Sequence, residues 1–98
     1  MQPMVLTILE ARISQDRAAS FQAGYQALGA QATPPGLLRS QLARSVADPA
    51  VWQVQTLWRA RQALDDMRSR GTPGGVLLFR DAGAEPSLAV FEIVATIS

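Results

Sequence analysis

The sequence predicts an α+β fold built in the order β-α-β-β-α-β, and three observations predict it. Residues 4–13 and 88–97 are apolar on both alternating faces, the pattern of strands covered on two sides. Residues 51–59 alternate, with Trp52, Val54, Thr56 and Trp58 on one side and Gln53, Gln55 and Arg59 on the other. Between these runs the apolar spacing changes to three and four, the period of a helix. The order is that of a split βαβ arrangement, in which the most apolar strands include the centre of the sheet.

Each element has its own local reason. The first strand carries Val5, Leu6, Ile8, Leu9 and Ile13. Ser14 then offers an N-cap, Asp16 places a carboxylate where the helix dipole favours an anion, and Ala18, Phe21, Tyr25 and Leu28 form one apolar stripe up to a stop at Gly29. Gly24 interrupts that helix at a cost of about 1 kcal/mol against Ala, which reads as close packing against a neighbour or as simple tolerance. Pro34-Pro35-Gly36 cannot continue a helix. Residues 37–46 alternate weakly and predict an edge strand with a wetter face, joined through Asp48-Pro49 to the strand at 51–59 as a hairpin. Residues 62–70 return to helical spacing through Ala63, Leu64 and Met67, and Gly71 stops them. Residues 76–80 read equally as a short helix or as an irregular segment lining a pocket. Gly83 and Pro86 precede the last strand.

The length, 98 residues, fits a single domain over residues 1–98 with one core. Composition bounds the chemistry. The chain contains no Cys, His, Lys or Asn, and its nine Arg face eight acids for a net charge of +1. Zinc centres, thiolate clusters and a His-ligated haem lose their usual ligands, and no metal site is expected. A P-loop lysine, a Schiff base and a Ser-His-Asp triad are excluded as well. Scattered arginines give no concentrated field for nucleic acid. No apolar run reaches the roughly 18 to 20 residues of a membrane span, and the start of the chain lacks a basic signal region, so a cytoplasmic location is expected. Doubly apolar strands and a small net charge point to self-association, with a second copy covering what one chain leaves open.

Several side chains stand out as candidates. Trp52 and Trp58 share a face; both fit a core, and Trp58, at the end of its strand, also fits a cavity wall with an N–H to offer. Tyr25, on the same stripe as Phe21, is either a core tyrosine or a pocket hydroxyl. Glu10 and Glu92 occupy positions where the pattern wants apolar residues, as a general acid and base pair or as partners of arginines. Asp65-Asp66 point about 100° apart on a helix and read as a solvated face rather than a metal pair. The Gly71–Gly75 stretch follows a helix and lacks a lysine, so it is a weak phosphate loop. Arg80, beside Phe79, reads as an oxyanion-recognising group or a surface salt bridge.

The opening Val5-Leu6-Thr7-Ile8-Leu9-Glu10-Ala11, the passage from Trp58 to Leu64 with its Trp-x-x-Arg-x-Ala-Leu spacing, and Gly83-Ala84-Glu85-Pro86 before an apolar last strand resemble the antibiotic biosynthesis monooxygenase family over almost the whole chain. The resemblance implies a ferredoxin-like fold with an antiparallel sheet, packed face to face as a homodimeric α+β barrel. It further implies a monooxygenase that converts an aromatic phenolic or polyketide-like small molecule with O2 and no cofactor. Haem-degrading relatives use a ligating His and a nearby Asn, and this chain has neither. By position, Trp58 and Arg80 take the catalytic roles, while Phe21, Tyr25, Gln55 and Phe79 take substrate-binding ones, Gln55 standing in for a lost Asn. Ala60 stands where such sequences place a capping Ser, which weakens the start of that helix by about 1 kcal/mol. A carboxylate-based isomerase and a non-catalytic ligand-binding or structural dimer remain as alternatives on the same fold.

Overall fold

A computed structural model describes residues 2–98. Met1, the head of the expected 1–98 domain, lies outside the described residues. The elements are β1 (Val5–Arg12), a 3-10 turn (Gln15–Arg17), α1 (Ala18–Gly29), β2 (Leu37–Arg44), β3 (Val51–Trp58), α2 (Arg61–Ser69), α3 (Gly74–Asp81) and β4 (Ser87–Glu92). The strands form one antiparallel sheet in the order β2-β3-β1-β4. This is the α+β, ferredoxin-like architecture expected from the sequence.

The helices lie on one face of that sheet, with α3 resting on α1 and β1 and α2 resting on β3. Alternation decides which side chains meet them. On β3, Trp52, Val54, Thr56 and Trp58 are buried beneath the helices, whereas Val51, Gln53, Gln55 and Leu57 take the other face. Two apolar clusters result. Ile13, Phe21, Trp52, Val54 and Phe79 form the larger, toward α1 and α3; Val5, Trp58 and Leu64 form the smaller, under α2.

Two local expectations are corrected, and two points the sequence left open are settled. Residues 76–80 are helical and belong to α3, so the last α-β connection contains an additional short helix. Ser14 does not cap α1: it precedes the 3-10 turn in an extended conformation, its carbonyl accepts from the Arg17 N–H at 3.0 Å, and Arg17 takes the cap position. The final strand ends at Glu92 rather than continuing to residue 97, although Ile93 still donates its N–H to the Met4 carbonyl. Apolar pattern on two faces also does not mean cover within the chain. β4 is an edge strand, and Leu88 and Phe91 are 49% and 52% exposed on its two faces. The helices rest chiefly on β1 and β3, which leaves β4 open.

Two glycines answer to specific constraints. A methyl group at Gly24 would come within 2.7 Å of the Leu78 Cδ1, so close packing of α1 on α3 explains its place in the helix. Gly36 has φ +85° and sits against Ala63, whose Cβ would lie 2.5 Å from a methyl group there. Its carbonyl also accepts the Arg59 N–H at 2.8 Å, tying the turn before β2 to the end of β3. β2 then carries a bulge at Leu38, between Leu37 and Arg39 in the pairing with β3.

Candidate functional site

The two apolar clusters do not merge, and the gap between them is a cavity of about 280 Å³. Its floor is a row of hydroxyl side chains crossing three strands in register. Ser40 on β2 stands opposite Thr56 on β3, which stands opposite Thr7 on β1. Residues directly opposite on antiparallel strands project to the same face, so all three point toward the helices. Leu9, Val54 and Leu37 flank the row, Trp58 forms one wall, Tyr25 and Leu28 of α1 form another, and the first turn of α3 at Gly74 and Gly75 borders the opening.

The hydroxyls are connected. The Trp58 indole N–H donates to Thr7 Oγ1 at 3.2 Å, and the Thr7 hydroxyl donates to the Thr56 carbonyl at 3.4 Å. The Thr56 hydroxyl donates to Ser40 Oγ at 3.3 Å, and Ser40 Oγ and the Tyr25 hydroxyl are 2.8 Å apart with either able to donate. No buried side-chain nitrogen or oxygen among the described residues lacks a partner. Among the described residues, none that lines the cavity is charged. Its walls are apolar and its polar groups neutral, which suits an uncharged aromatic body with few polar substituents. Tyr25 also borders a shallower depression made with Gln22, Gln26, Leu42 and Trp52, where the Arg44 guanidinium lies 5.4 Å from the Trp52 ring.

Of the side chains singled out in the sequence, Trp58 and Tyr25 therefore meet in one cavity, and four others do not join them. Phe21 and Phe79 are core residues with ring centroids 4.9 Å apart, Phe79 fully buried, because their helices turn those rings toward each other and Trp52. Arg80 projects to the surface and grips Glu85 with two hydrogen bonds of 2.9 Å. The pair holds the Arg80 pKa up and the Glu85 carboxyl below its ordinary range. Gln55 is on the far side of the sheet. Three residues from Trp58 is an odd spacing, so the strand period already places the two on opposite faces; Val54, not Gln55, faces the cavity.

The carboxylate pair is not assembled either. Glu10 accepts from Gln53 at 2.7 Å on the open face of the sheet, whereas Glu92 stands opposite Val5 on the helix-side face. Asp65 and Asp66 engage Arg61 and Gln62 on the surface of α2, and no group of three or more potential metal-ligating side chains occurs among the described residues. Thr7, Ser40 and Thr56 were not singled out in the sequence. Their signal was a hydroxyl at an inward position of each of three strands, which becomes a site only once the register aligns them.

The open face carries a second polar chain. Arg39 donates to Gln41, Gln41 to Gln55 at 2.6 Å, Gln55 to Gln53 at 2.8 Å and Gln53 to Glu10, among the apolar Leu6, Ile8, Leu57 and Phe91.

Three solved structures bear on this arrangement. A Caulobacter crescentus protein assigned to the antibiotic biosynthesis monooxygenases is 25% identical, with 96% of this chain and 92% of that one aligned at a TM-score of 0.74. The chain has the antibiotic biosynthesis monooxygenase fold. SnoaB, a cofactor-independent oxygenase from Streptomyces nogalater, aligns over 97% of both chains at a TM-score of 0.74 with 17% identity. A heme-degrading protein from Mycobacterium tuberculosis aligns over 100% of this chain and 99% of its own at a TM-score of 0.71 with 23% identity. No family model and no curated sequence relative matches the chain. The same fold thus occurs in a cofactor-independent oxygenase and in a heme-degrading protein. A His-ligated haem does not fit this chain, which has no His, and its one Tyr is engaged with Ser40. No helix is long and apolar enough to cross a membrane among the described residues.

Proposed function

We propose that this chain is a monooxygenase that oxidises a small phenolic or anthrone-like aromatic with O2 and without a cofactor. The observation that carries this reading is the cavity between helices and sheet, apolar, walled by Trp58 and floored by linked hydroxyls. In the reaction proposed, a ring CH2 becomes a carbonyl; one oxygen atom of O2 enters the product and the other leaves as water with the two hydrogens. The substrate enters neutral and gives up a proton to solvent at the cavity opening; the electron-rich anion so formed supplies the electrons, and the protein's part is to bind, orient and limit access of water. Trp58 and Tyr25 are the ring-contacting residues in this reading. Arg80 has no part in it, since its guanidinium is held by Glu85 outside the cavity.

In the same reading the open sheet face closes on a second copy as a dimeric barrel. Half-buried Leu6, Ile8 and Leu57 and exposed Phe91 supply the apolar surface. A second reading, a non-catalytic binder of the same class of ligand, is favoured by one observation: the cavity offers no charged side chain to take the substrate proton. The isomerase alternative loses its paired base, because Glu10 and Glu92 are on opposite faces.

O2 uptake separates the two readings. With an anthrone or a naphthol panel, consumption that persists with chelator and without added flavin is the expected result. Ligand-induced stabilisation without any O2 consumption identifies the binder instead.

A further inference from the structure

A count of donors in the cavity leads beyond its shape. The network has five donors: the Trp58 N–H and the hydroxyls of Thr7, Thr56, Ser40 and Tyr25. Three have assigned acceptors, namely Thr7 Oγ1, the Thr56 carbonyl and Ser40 Oγ. The fourth bond, between Tyr25 and Ser40, uses only one of their two protons. If Tyr25 donates, the Ser40 proton is left over; if Ser40 donates, the Tyr25 proton is. One neutral O–H donor therefore has no acceptor within the protein, and both residues that can carry it line the cavity, Ser40 at its exposed side.

We infer that the Tyr25–Ser40 pair is a shared hydrogen-bond donor that recognises the carbonyl or phenol oxygen of a neutral aromatic ligand. The inference rests on the proposed reading of this cavity as an aromatic-binding site and names its ligand class. A carboxylate-bearing ligand is disfavoured, because its charge would enter an apolar space with no cationic side chain to meet it. At about 280 Å³ the space lies at the small end of ligand pockets, which run from about 300 to 1,000 Å³, so a bicyclic ligand suits it better than a four-ring one.

Sharing has an unusual consequence. In Tyr25→Phe the Ser40 proton has no remaining partner and stays available; in Ser40→Ala the Tyr25 proton does. Loss of Ser40 also frees the Thr56 hydroxyl. Only Tyr25→Phe, Ser40→Ala and Thr56→Val combined leave no spare donor, while the Thr56 backbone carbonyl that receives Thr7 persists as that of the new valine.

The test is calorimetric titration at pH 7 with three ligands of one size: α-tetralone, tetralin and α-naphthoate. The expected result is that tetralone binds about tenfold tighter than tetralin, the ratio of one neutral hydrogen bond, and tighter than naphthoate. Each single variant keeps the ketone preference, and the triple variant loses it, binding tetralone and tetralin alike, with an unchanged circular dichroism spectrum. Complete loss of the preference in Tyr25→Phe alone, or its survival in the triple variant, overturns the shared donor. Naphthoate binding as tightly as tetralone overturns the neutral-ligand claim and transfers recognition to the backbone N–H groups at the start of α3. If the triple variant misfolds, the carbonyl stretch of bound tetralone in the two single variants decides the matter: a larger red shift in Ser40→Ala, where the phenol donates, than in Tyr25→Phe supports the pair, and the same frequency in both overturns it. Absence of O2 uptake beside an intact ketone preference removes the catalytic reading and leaves this one standing.

Discussion

Thr7 and Thr56 face each other across β1 and β3, and the Thr7 hydroxyl joins the Trp58 indole to the Thr56 backbone. This contact fixes the orientation of an indole that is only 3% exposed and that walls the cavity. Thr7→Val preserves shape and removes the acceptor, leaving a buried N–H unpaired. A loss of about 1–3 kcal/mol of unfolding free energy is expected in denaturant titrations. A stability equal to the parent's would show that the indole finds another acceptor.

Trp58 and Arg80, alike as candidates in the sequence, are expected to part company in assays. Trp58→Phe shortens the cavity wall and removes the bond to Thr7, and should weaken tetralone binding about tenfold or more. Arg80→Ala removes only the surface pair with Glu85, so affinity and any turnover should stay within about twofold of the parent. A large loss of either in Arg80→Ala would contradict the placement of its side chain.

Gly36 combines a left-handed backbone with a fixed neighbour. An added methyl must overcome both φ +85° and the Ala63 Cβ, which the α2 backbone holds in place. Gly36→Ala is expected to cost about 1–3 kcal/mol of stability. Gly24→Ala meets the flexible end of Leu78 instead and should cost less. The order of the two melting temperatures checks the distinction.

Acid stability should depend on two surface pairs. The Arg80 guanidinium holds the Glu85 carboxyl below 4.5, and Arg12, followed by the Ala50 N–H, holds Asp48 below 3.8. A depressed folded-state pKa means that the unfolded chain binds more protons, so this stabilisation is complete above the ordinary carboxylate range and is lost as pH falls through it. Glu85→Gln and Asp48→Asn should each flatten the decline in melting temperature between about pH 5 and 3. An unchanged acid slope in both variants would remove the two pairs as its cause.

The open sheet face supplies a test of assembly. Ile8→Glu introduces a charge beside the Gln41-Gln55-Gln53-Glu10 chain without touching the cavity. Sedimentation should find a dimer for the parent at micromolar concentration and a monomer for the variant. A monomeric parent would leave β4 and this face without the proposed cover.

Much of the fold was legible because period and punctuation are local. Strict alternation over residues 51–58 put Trp52, Val54, Thr56 and Trp58 on one face, and Gly29 and Gly71 marked the helix ends, with Pro34-Pro35-Gly36 unable to extend the first. The short apolar run at 76–80 was ambiguous because a few apolar residues fit either a helix turn or an irregular segment. Its packing on α1, with Leu78 against Gly24, resolves it as α3.

The site was legible only in part. Trp58 stood out by type and by its place at a strand end, and Tyr25 by its stripe; Phe21, Phe79, Arg80 and Gln55 shared the same chemistry and lie elsewhere. By itself the sequence determined the order of the four strands and the two longer helices, the inward face of β3, the family resemblance and the absence of His, Cys and Lys chemistry, since these depend on residue type and local period. Tertiary structure alone decided that Ser40, Thr56 and Thr7 form one row and that Tyr25 reaches it from α1. It also decided that Arg80 turns to Glu85 instead. Strand register and helix docking set those distances, and neither is encoded in the spacing of any single segment.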